Sequence, residues 1–355
     1  MKIAFLNMYS GVVNRGAETF VHEIAQRLAK HNEVTLFQFG DRRGRESYNV
    51  ISIPMKVNWR SKDMTGTIWR KLFIDYWSLL ILLFTLKSIR KIIKERFEII
   101  VPLNGGWQPA LVRLVTWLYG GKMVISGQSG IGWDDRNNLW CFPDCFVALS
   151  SYARNWAKRV NPFVKTEYVP NGVDIQKFNQ KGDKLKIDLK KPIILTVGAL
   201  TPSKRIDLVI KAVSKLKDVS LLVVGDGEQK DELTRIGEDL LKYRFQLIKL
   251  PFEQMPKVYR TADLFTLVSE SYYSFEIVLA EAMATNLPVV ADDDPIRREI
   301  VGNAGILVNP TDTDSYAKAI DKALNTNWGN KPCEQAEKFL WDTIAEKYEE
   351  IFRKL

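Results

Sequence analysis

The chain has 355 residues and a mass of 40.8 kDa, too long for one ordinary hydrophobic core, so two domains are predicted. Its 46% hydrophobic and 26% charged residues exclude intrinsic disorder, and three cysteines are too few for a disulfide framework or a structural zinc site. The net charge of +9 is concentrated in residues 1–170, where basic residues exceed acidic ones by 11, whereas the remainder has a net charge of −2. The first half is therefore expected to meet an anionic partner. Its sequence contains no zinc-finger spacing, RNP-like strand or basic helix-turn-helix, so nucleic acid is not predicted.

The first half alternates short apolar runs with helical periodicity, which is typical of a parallel sheet with helices on both faces. Strands are predicted at residues 2–8, 33–39, 50–53, 98–101, 122–126, 144–148 and 165–169. Helices are predicted at residues 16–30, 68–94, 108–119 and 151–160. The opening apolar run is too short for a secretory signal. The charge-free run 76–86 reaches only about half of a bilayer core, so no membrane span is predicted and the protein is expected to be cytoplasmic.

The second half repeats this alternation after a turn at 169–174 and a Lys-rich stretch to residue 191. Strands are predicted at residues 193–197, 220–224, 245–248, 264–268, 288–291 and 306–308. Helices are predicted at residues 204–216, 228–242, 253–261, 275–285, 295–301, 312–324 and 333–355. The expected fold class is α/β, with two Rossmann-like, doubly wound domains. Ligands of such sheets bind beyond the carboxyl ends of the strands, here in a cleft expected between the domains.

The loop at 197–205 leaves a buried strand and carries two adjacent cations, Lys204 and Arg205. Together with unpaired N–H groups at a helix start, these side chains predict a phosphate or diphosphate site. The alternative is that both are solvated residues of a helical first turn.

The segment 269–284 carries Glu276 and Glu281 on an otherwise apolar helix. A carboxylate in apolar surroundings is costly to bury unless donors meet it, and vicinal sugar hydroxyls would supply two. The alternative is an exposed helix glutamate. The nearby triple of Asp292, Asp293 and Asp294 could suggest a metal, but Asp294 followed by proline is typical of a helix N-cap, so no metal is predicted.

These motifs, in this order and over nearly the whole chain, resemble family 4 glycosyltransferases with the GT-B fold. The matching motifs are at residues 15–18, 169–174, 197–205, 224–227, 279–284, 288–291 and 304–308. The resemblance implies transfer of a sugar from a nucleotide-diphosphate donor, with retention of anomeric configuration and without a cofactor or obligatory metal. It also implies an acceptor-binding domain at 1–170, a nucleotide-sugar-binding domain at 171–330 and a C-terminal helix at 331–355 that returns to the first domain.

The resemblance also assigns individual residues. Lys204 matches the family's diphosphate-binding lysine, with Arg205 as a second contact, and Glu281 matches the glutamate that holds the donor ribose. The other positions expected to bind the donor are Gly16, Gly198, Gly225, Phe275, Glu276 and Ile277. Arg15 and Gln128 are expected on the acceptor side, and Lys204, Arg205 and Glu276 are the expected catalytic residues.

The chain departs from the family pattern at four positions. Tyr273 stands where the first of two paired glutamates is usual, Glu276 replaces a glycine, Gln128 stands near a usual histidine, and Ala199 replaces an arginine. We expect Glu276 to take over part of the contact with the donor sugar. Two alternatives remain: a degenerate glycosyltransferase that only binds, and a nucleotide-sugar epimerase on the same fold.

The stretch 41–96 holds 13 basic and 5 acidic residues beside several tryptophans and the apolar run. Aromatic and basic side chains in this combination suit an interfacial membrane contact, so we expect a lipid-linked acceptor to be approached there. A core-facing helix with basic ends is the alternative.

Overall fold

The protein is described here from a computed structural model, which covers residues 1–13, 15–41, 44, 46–59, 67–272 and 274–355. Tyr273 and part of the basic stretch 41–96 therefore lie outside the described residues. The chain forms two compact units. The first comprises Met1–Asn171 together with Trp341–Leu355, and the second comprises Gly172–Leu340. Val173 and Leu340, at the two ends of the second unit, are joined by an isolated parallel bridge.

The first unit is a seven-stranded parallel sheet in the order β3-β2-β1-β4-β5-β6-β7. Its strands are β1 Lys2–Leu6, β2 Glu33–Gln38, β3 Asn49–Ser52, β4 Ile99–Pro102, β5 Lys122–Ser126, β6 Cys145–Ala148 and β7 Thr166–Tyr168. Its helices are α1 Gly16–Leu28, α2 Ile68–Lys71, α3 Tyr76–Glu95, α4 Trp107–Tyr119, α5 Trp133–Trp140, α6 Ser151–Val160 and, from the end of the chain, α14 Trp341–Arg353.

The second unit is a six-stranded parallel sheet in the order β10-β9-β8-β11-β12-β13. Its strands are β8 Ile193–Val197, β9 Ser220–Val224, β10 Phe245–Ile248, β11 Leu264–Leu267, β12 Val289–Asp292 and β13 Gly305–Val308. Its helices are α7 Ile206–Ser214, α8 Lys230–Leu241, α9 Met255–Thr261, α10 Ile277–Ala284, α11 Pro295–Val301, α12 Thr313–Leu324 and α13 Lys331–Ala336. The expected fold class, two doubly wound α/β sheets, is therefore confirmed.

Two predicted helices are interrupted in the structure, and one helix was not predicted. The helix expected at 68–94 is interrupted, because the Asp75 carboxylate accepts from the N–H groups of Trp77 and Ser78 and so starts a new helix there. The polar helix α5 was not predicted, since its sequence has little apolar periodicity. The helix expected at 333–355 is broken between α13 and α14, and only the segment from Trp341 onwards belongs to the first unit.

The final helix α14 packs on α1 within the first unit. Phe20 of α1 lies 6.3 Å from the Trp341 ring and 5.4 Å from the Tyr348 ring, measured between centroids. The Tyr348 hydroxyl also hydrogen-bonds with Ser126 Oγ, at the end of β5, at 2.8 Å. The last helix is therefore part of the hydrophobic core of the first unit.

Helices α3 and α4 pack against each other and leave leucine and tryptophan side chains uncovered. We call this surface the apolar ridge, and its residues are between 43% and 77% exposed: Leu79, Leu83, Leu86, Leu114, Trp117 and Leu118. By length and composition the helical stretch Ile68–Glu95 is apolar enough to cross a membrane, and 39% of its most apolar window is buried inside the protein. The prediction of no membrane span used only the charge-free run 76–86. The apolar character of this stretch continues beyond the charged residues that flank the run. The same length and composition also occur in core helices of soluble proteins.

Candidate active site

The candidate site of the second unit lies where the strand order reverses. Strands β8 and β11 are neighbours in the sheet, but the chain leaves them towards opposite edges of the sheet. In doubly wound sheets, ligands bind at the carboxyl ends of two such strands. The loop after β8 carries Lys204, and the loop after β11 carries Ser269 and Glu276. The topology therefore brings together residues that are about 70 positions apart.

Lys204 does not start an α-helix, as the sequence had suggested, but ends a 3-10 turn, Pro202–Lys204, that precedes α7. The change of direction occurs at Arg205, which has the left-handed backbone conformation, with φ 47°. This turn directs the Lys204 side chain inwards, where it is 9% exposed.

The Lys204 ammonium is held by the carboxylate of Glu276. Lys204 Nζ donates to Oε1 at 2.7 Å and to Oε2 at 2.8 Å, and the Ser269 hydroxyl donates to Oε1 at 2.6 Å. Glu276 has φ 59° and immediately precedes α10. A side chain in this left-handed region is uncommon outside glycine and asparagine, so the backbone at Glu276 is strained.

A second buried cation, Arg297, lies behind this pair. Its guanidinium is 2.9 Å from Asp294, 3.6 Å from Asp292 and 3.7 Å from Glu276. Asp294 also accepts from the N–H groups of Ile296 and Arg297, so its predicted role as the N-cap of α11 is confirmed. Within the described part of the chain, no group of three or more His, Cys, Asp or Glu side chains is arranged to hold a metal ion.

Asp292 is a buried carboxyl group at the end of β12. Within the described ranges, neither of its oxygens has a hydrogen-bond partner, although Arg297 is close. Burial, with a smaller contribution from Asp294, raises the pKa of Asp292 to about 7, and the Arg297 charge opposes this rise. The group therefore exchanges a proton near neutral pH, beside the cations of the site.

Glu281, the predicted ribose contact, is buried on α10, and the Tyr259 hydroxyl donates to its Oε2 at 2.7 Å. Burial, followed by the Glu281 charge, raises the pKa of Tyr259 well above its usual range, so the phenol remains a donor.

Some predicted donor contacts have a packing role in the structure. A Cβ at Gly225 would overlap the carbonyl oxygen of Gly198, so the loops after β8 and β9 approach each other backbone to backbone. At Gly198 a Cβ would only touch the Lys204 stem, at 3.9 Å. Phe275 is buried with its ring 5.2 Å from Phe339, and Ile277 is also buried. The side chains of Phe275 and Ile277 therefore belong to the core of the second unit.

The predicted residues of the first unit lie after β1 and β5. Gly16 is the exposed first residue of α1, and Arg15 before it stacks on Tyr9 at 6.0 Å. Gln128 donates to Ser126 Oγ at 2.9 Å and exchanges two hydrogen bonds with the Asn171 amide, at 2.9 and 3.0 Å. This pairing ties the end of β5 to the end of the first unit.

The sequence interpretation missed Ser269, Arg297 and Tyr259 as members of the site. Ser269 and Tyr259 sit in ordinary loop and helix sequence, so no local signal marks them. Arg297 had a signal, since an arginine three residues after a helix N-cap aspartate faces back towards it. A buried carboxyl of the first unit, Asp135, was also missed, and burial raises its pKa to about 8.

Comparison with known proteins gives consecutive matches along the chain. The model for glycosyltransferase family 4 matches residues 14–177, and the model for group 1 glycosyl transferases matches residues 177–339. An uncharacterized glycosyltransferase of Methanocaldococcus jannaschii is 31% identical over 219 residues, covering 54% of this chain and 55% of that protein. The phosphatidyl-myo-inositol mannosyltransferase of Mycolicibacterium smegmatis is 29% identical over 218 residues, covering 58% and 56%. The chain thus spans about half the length of these curated relatives.

The fold has close structural counterparts. The crystal structure of HepE from Anabaena, in complex with UDP and glucose, superposes with a TM-score of 0.78 at 18% identity, and the match covers 100% of both chains. With adjoining glycosyltransferase matches over residues 14–339 and this shared architecture, the chain belongs to the GT4-type glycosyltransferases with the GT-B fold.

Proposed function

We propose that this protein is a retaining hexosyltransferase that moves a sugar from a nucleotide-diphosphate donor to a glycan or lipid-linked acceptor. The observation that carries the proposal is the position of the Lys204 ammonium. It lies at the carboxyl end of β8, beside the strand-order reversal and the start of α10. This is where doubly wound sheets bind phosphate groups.

The cations suit a leaving diphosphate. In the proposed reaction negative charge develops on the departing diphosphate, and fixed cations in a water-poor site stabilise it without reorganising. Lys204 would contact the diphosphate directly, with Arg205 beside it, and the donor phosphate would accept the proton of the acceptor hydroxyl. Positioning then supplies most of the remaining rate. We propose that no metal is required, because Lys204 and Arg205 would supply positive charge at the diphosphate.

Glu281 would hold the pentose of the donor. Two vicinal hydroxyls can donate to one carboxylate, and the Tyr259 hydroxyl fixes the orientation of that carboxylate at 2.7 Å. HepE, which shares the fold, was crystallised with UDP. The two alternatives raised by the sequence, an epimerase and a binding subunit, gain no support from the comparisons.

A thermal-shift panel of UDP, GDP and ADP sugars, run with and without EDTA, tests this proposal. We expect the sugars of one base to raise the melting temperature, since a ligand at 100 times its dissociation constant stabilises by about 2.7 kcal/mol. EDTA is expected to leave the shift unchanged. If none of the donors binds and none is hydrolysed, the proposal is wrong, whereas binding without turnover on any acceptor would favour the binding subunit.

We further propose that the acceptor is lipid-linked and that the protein binds peripherally to an anionic membrane, at its cytoplasmic face, through the apolar ridge. Exposed leucines recur on α3 at positions 79, 83 and 86, and thus on one face of that helix. Exposed basic residues follow on the same helix: Lys87, Arg90, Lys91 and Lys94. An interfacial helix needs apolar side chains that enter the headgroup region and basic side chains that bind anionic lipid, and α3 has both. The relative from Mycolicibacterium smegmatis is named for a phospholipid acceptor.

The double substitution Leu114→Ser with Leu118→Ser is expected to weaken binding to vesicles containing phosphatidylglycerol by about tenfold, because two exposed leucines would no longer transfer from water to the membrane. Cosedimentation at several lipid concentrations measures the partition coefficient. The control is Leu240→Ser, which changes an exposed leucine of the second unit. Equal binding of wild type to neutral and anionic vesicles, or unchanged binding of the double variant, would contradict the membrane proposal.

A further inference from the structure

The ion pair between Lys204 and Glu276 closes the site that the proposed function assigns to the donor diphosphate. The two side chains are 9% and 8% exposed, so the pair lies almost out of solvent. Both carboxylate oxygens accept from the same ammonium, at 2.7 and 2.8 Å. A lysine ammonium has three N–H groups, and two of those of Lys204 donate to Glu276, so a phosphate competes with this carboxylate for the cation.

The surroundings of the Glu276 carboxylate are those of an anion site. It accepts from the Lys204 ammonium and the Ser269 hydroxyl, and the Arg297 guanidinium is 3.7 Å away. The residue itself immediately precedes α10, whose first N–H groups attract negative charge. The same ammonium, guanidinium and helix start would suit a phosphate.

We propose that Glu276 is an internal counter-ion which the donor diphosphate displaces from Lys204, and that it thereby makes the site distinguish an intact nucleotide sugar from its nucleoside diphosphate product. This inference rests on the proposed function. Glu276 is thus a specificity-determining residue, and it would lie next to the diphosphate and the sugar of the donor.

The sugar matters because the displaced carboxylate remains in buried surroundings and needs new donors. Glu281 comes five positions after Glu276, which is about 7.5 Å along a helix. If Glu281 holds the pentose, the start of α10 faces the diphosphate and the sugar beyond it, and sugar hydroxyls can donate to Glu276. A carboxylate left without donors there is costly.

The product lacks this compensation. Once the sugar has been transferred, the nucleoside diphosphate still competes with Glu276 for Lys204, but no hydroxyl meets the displaced carboxylate. Glu276 therefore returns to Lys204 and weakens product binding. In many enzymes the release of product limits turnover, and here the competition would speed that release.

Titration calorimetry of wild type and Glu276→Gln with UDP and UDP-glucose, and with GDP and GDP-mannose as a second pair, tests the inference. Glutamine keeps the size of the side chain and can still bond to Ser269, but it lacks the charge. We expect the variant to bind the nucleoside diphosphate about tenfold more tightly, the scale of one charge-assisted hydrogen bond. The nucleotide sugar should gain much less. The dissociation constant of the nucleoside diphosphate, divided by that of the nucleotide sugar, should therefore fall by about tenfold.

Two further variants complete the design. Glu276→Gly removes the side chain and suits the left-handed backbone, so it keeps the test open if the glutamine variant does not fold; we expect the same fall in the ratio. Asp293→Asn is the control, because it breaks an exposed ion pair with Arg298 in the same unit, at 2.6 and 2.9 Å, and should leave the ratio unchanged.

A ratio that stays the same in wild type and in both Glu276 variants would overturn the inference while leaving the proposed function intact. If wild type binds none of the UDP, GDP and ADP sugars of the thermal-shift panel, nor their nucleoside diphosphates, the proposed function fails and this inference fails with it. Inhibition of turnover by the nucleoside diphosphate provides a second measure, since the inhibition constant should fall in the Glu276 variants.

Discussion

Replacing Lys204 with alanine is expected to lower turnover by about 100-fold or more, which is the scale of removing one preorganised charge contact from a transition state. The ammonium lies at the end of β8 and is almost fully buried, so water cannot replace it effectively. Steady-state kinetics with the donor identified by the binding panel measure the loss in kcat and in kcat/KM. Turnover of the variant at the wild-type rate would show that Lys204 does not act in catalysis.

A structural effect of the same substitution has to be separated from a chemical one, because Lys204→Ala also leaves the Glu276 carboxylate without its ammonium. The double variant Lys204→Ala with Glu276→Gln removes both charges. We expect it to recover the melting temperature but not the turnover. Lys211→Ala is the control for the loss of any lysine from this unit, since Lys211 pairs with Asp207 on the exposed side of α7 and should not affect turnover. Recovery of turnover by the double variant would mean that the lysine acts only through stability.

The sequence was sufficient to predict the fold because buried parallel strands are continuous apolar runs. Strand β8 at 193–197 and helix α11 at 295–301 have the predicted bounds. The N-cap at Asp294 was also predictable, since it depends on residues within three positions. Helix α5 was not, because its sequence has little apolar periodicity and its buried side includes the polar residues Asp135 and Asn138.

The contacts of the candidate site were not predictable from the sequence in the same way. Lys204 and Glu276 were each identified as candidates, but 72 positions separate them, and no local pattern says that one neutralises the other. The expected contact of Glu276 with the donor sugar stays a prediction, and the contact that the structure shows, with the Lys204 ammonium, had no signal in the sequence. The role of Gly225 likewise depends on the backbone of Gly198 in another loop. Such pairings arise from strand order, which is a property of the whole sheet.

Truncating Arg297 to alanine is expected to destabilise the second unit by about 3–5 kcal/mol, the usual result of removing one partner from a buried ionic cluster. Its side chain is only 1% exposed, and it lies within 4 Å of the carboxylates of Asp292, Asp294 and Glu276. Without the guanidinium, these three groups have lost a shared counter-charge. For a unit of this size we expect the melting temperature to fall by about 6–20 °C.

The pH dependence of the Arg297→Ala deficit identifies its cause. The pKa of Asp292 is raised to about 7 by burial, and the Arg297 charge opposes that rise. Between pH of about 4 and 7 the unfolded chain has lost this proton while the folded chain keeps it, so the stability of the fold falls as pH increases. Removing Arg297 raises the pKa of Asp292 further, which extends the loss to higher pH. The deficit should therefore be larger at pH 8 than at pH 4.5.

Urea unfolding at these two pH values measures the deficit, with Arg298→Ala as the control. Arg298 is the next residue, but it is 61% exposed and paired with Asp293, so its removal should change stability little at either pH. The double variant Arg297→Met with Asp292→Asn should recover part of the lost stability at pH 8, because the carboxyl most difficult to ionise is gone. An equal deficit at both pH values would mean that Arg297 contributes packing alone, and that the three carboxylates do not depend on its charge.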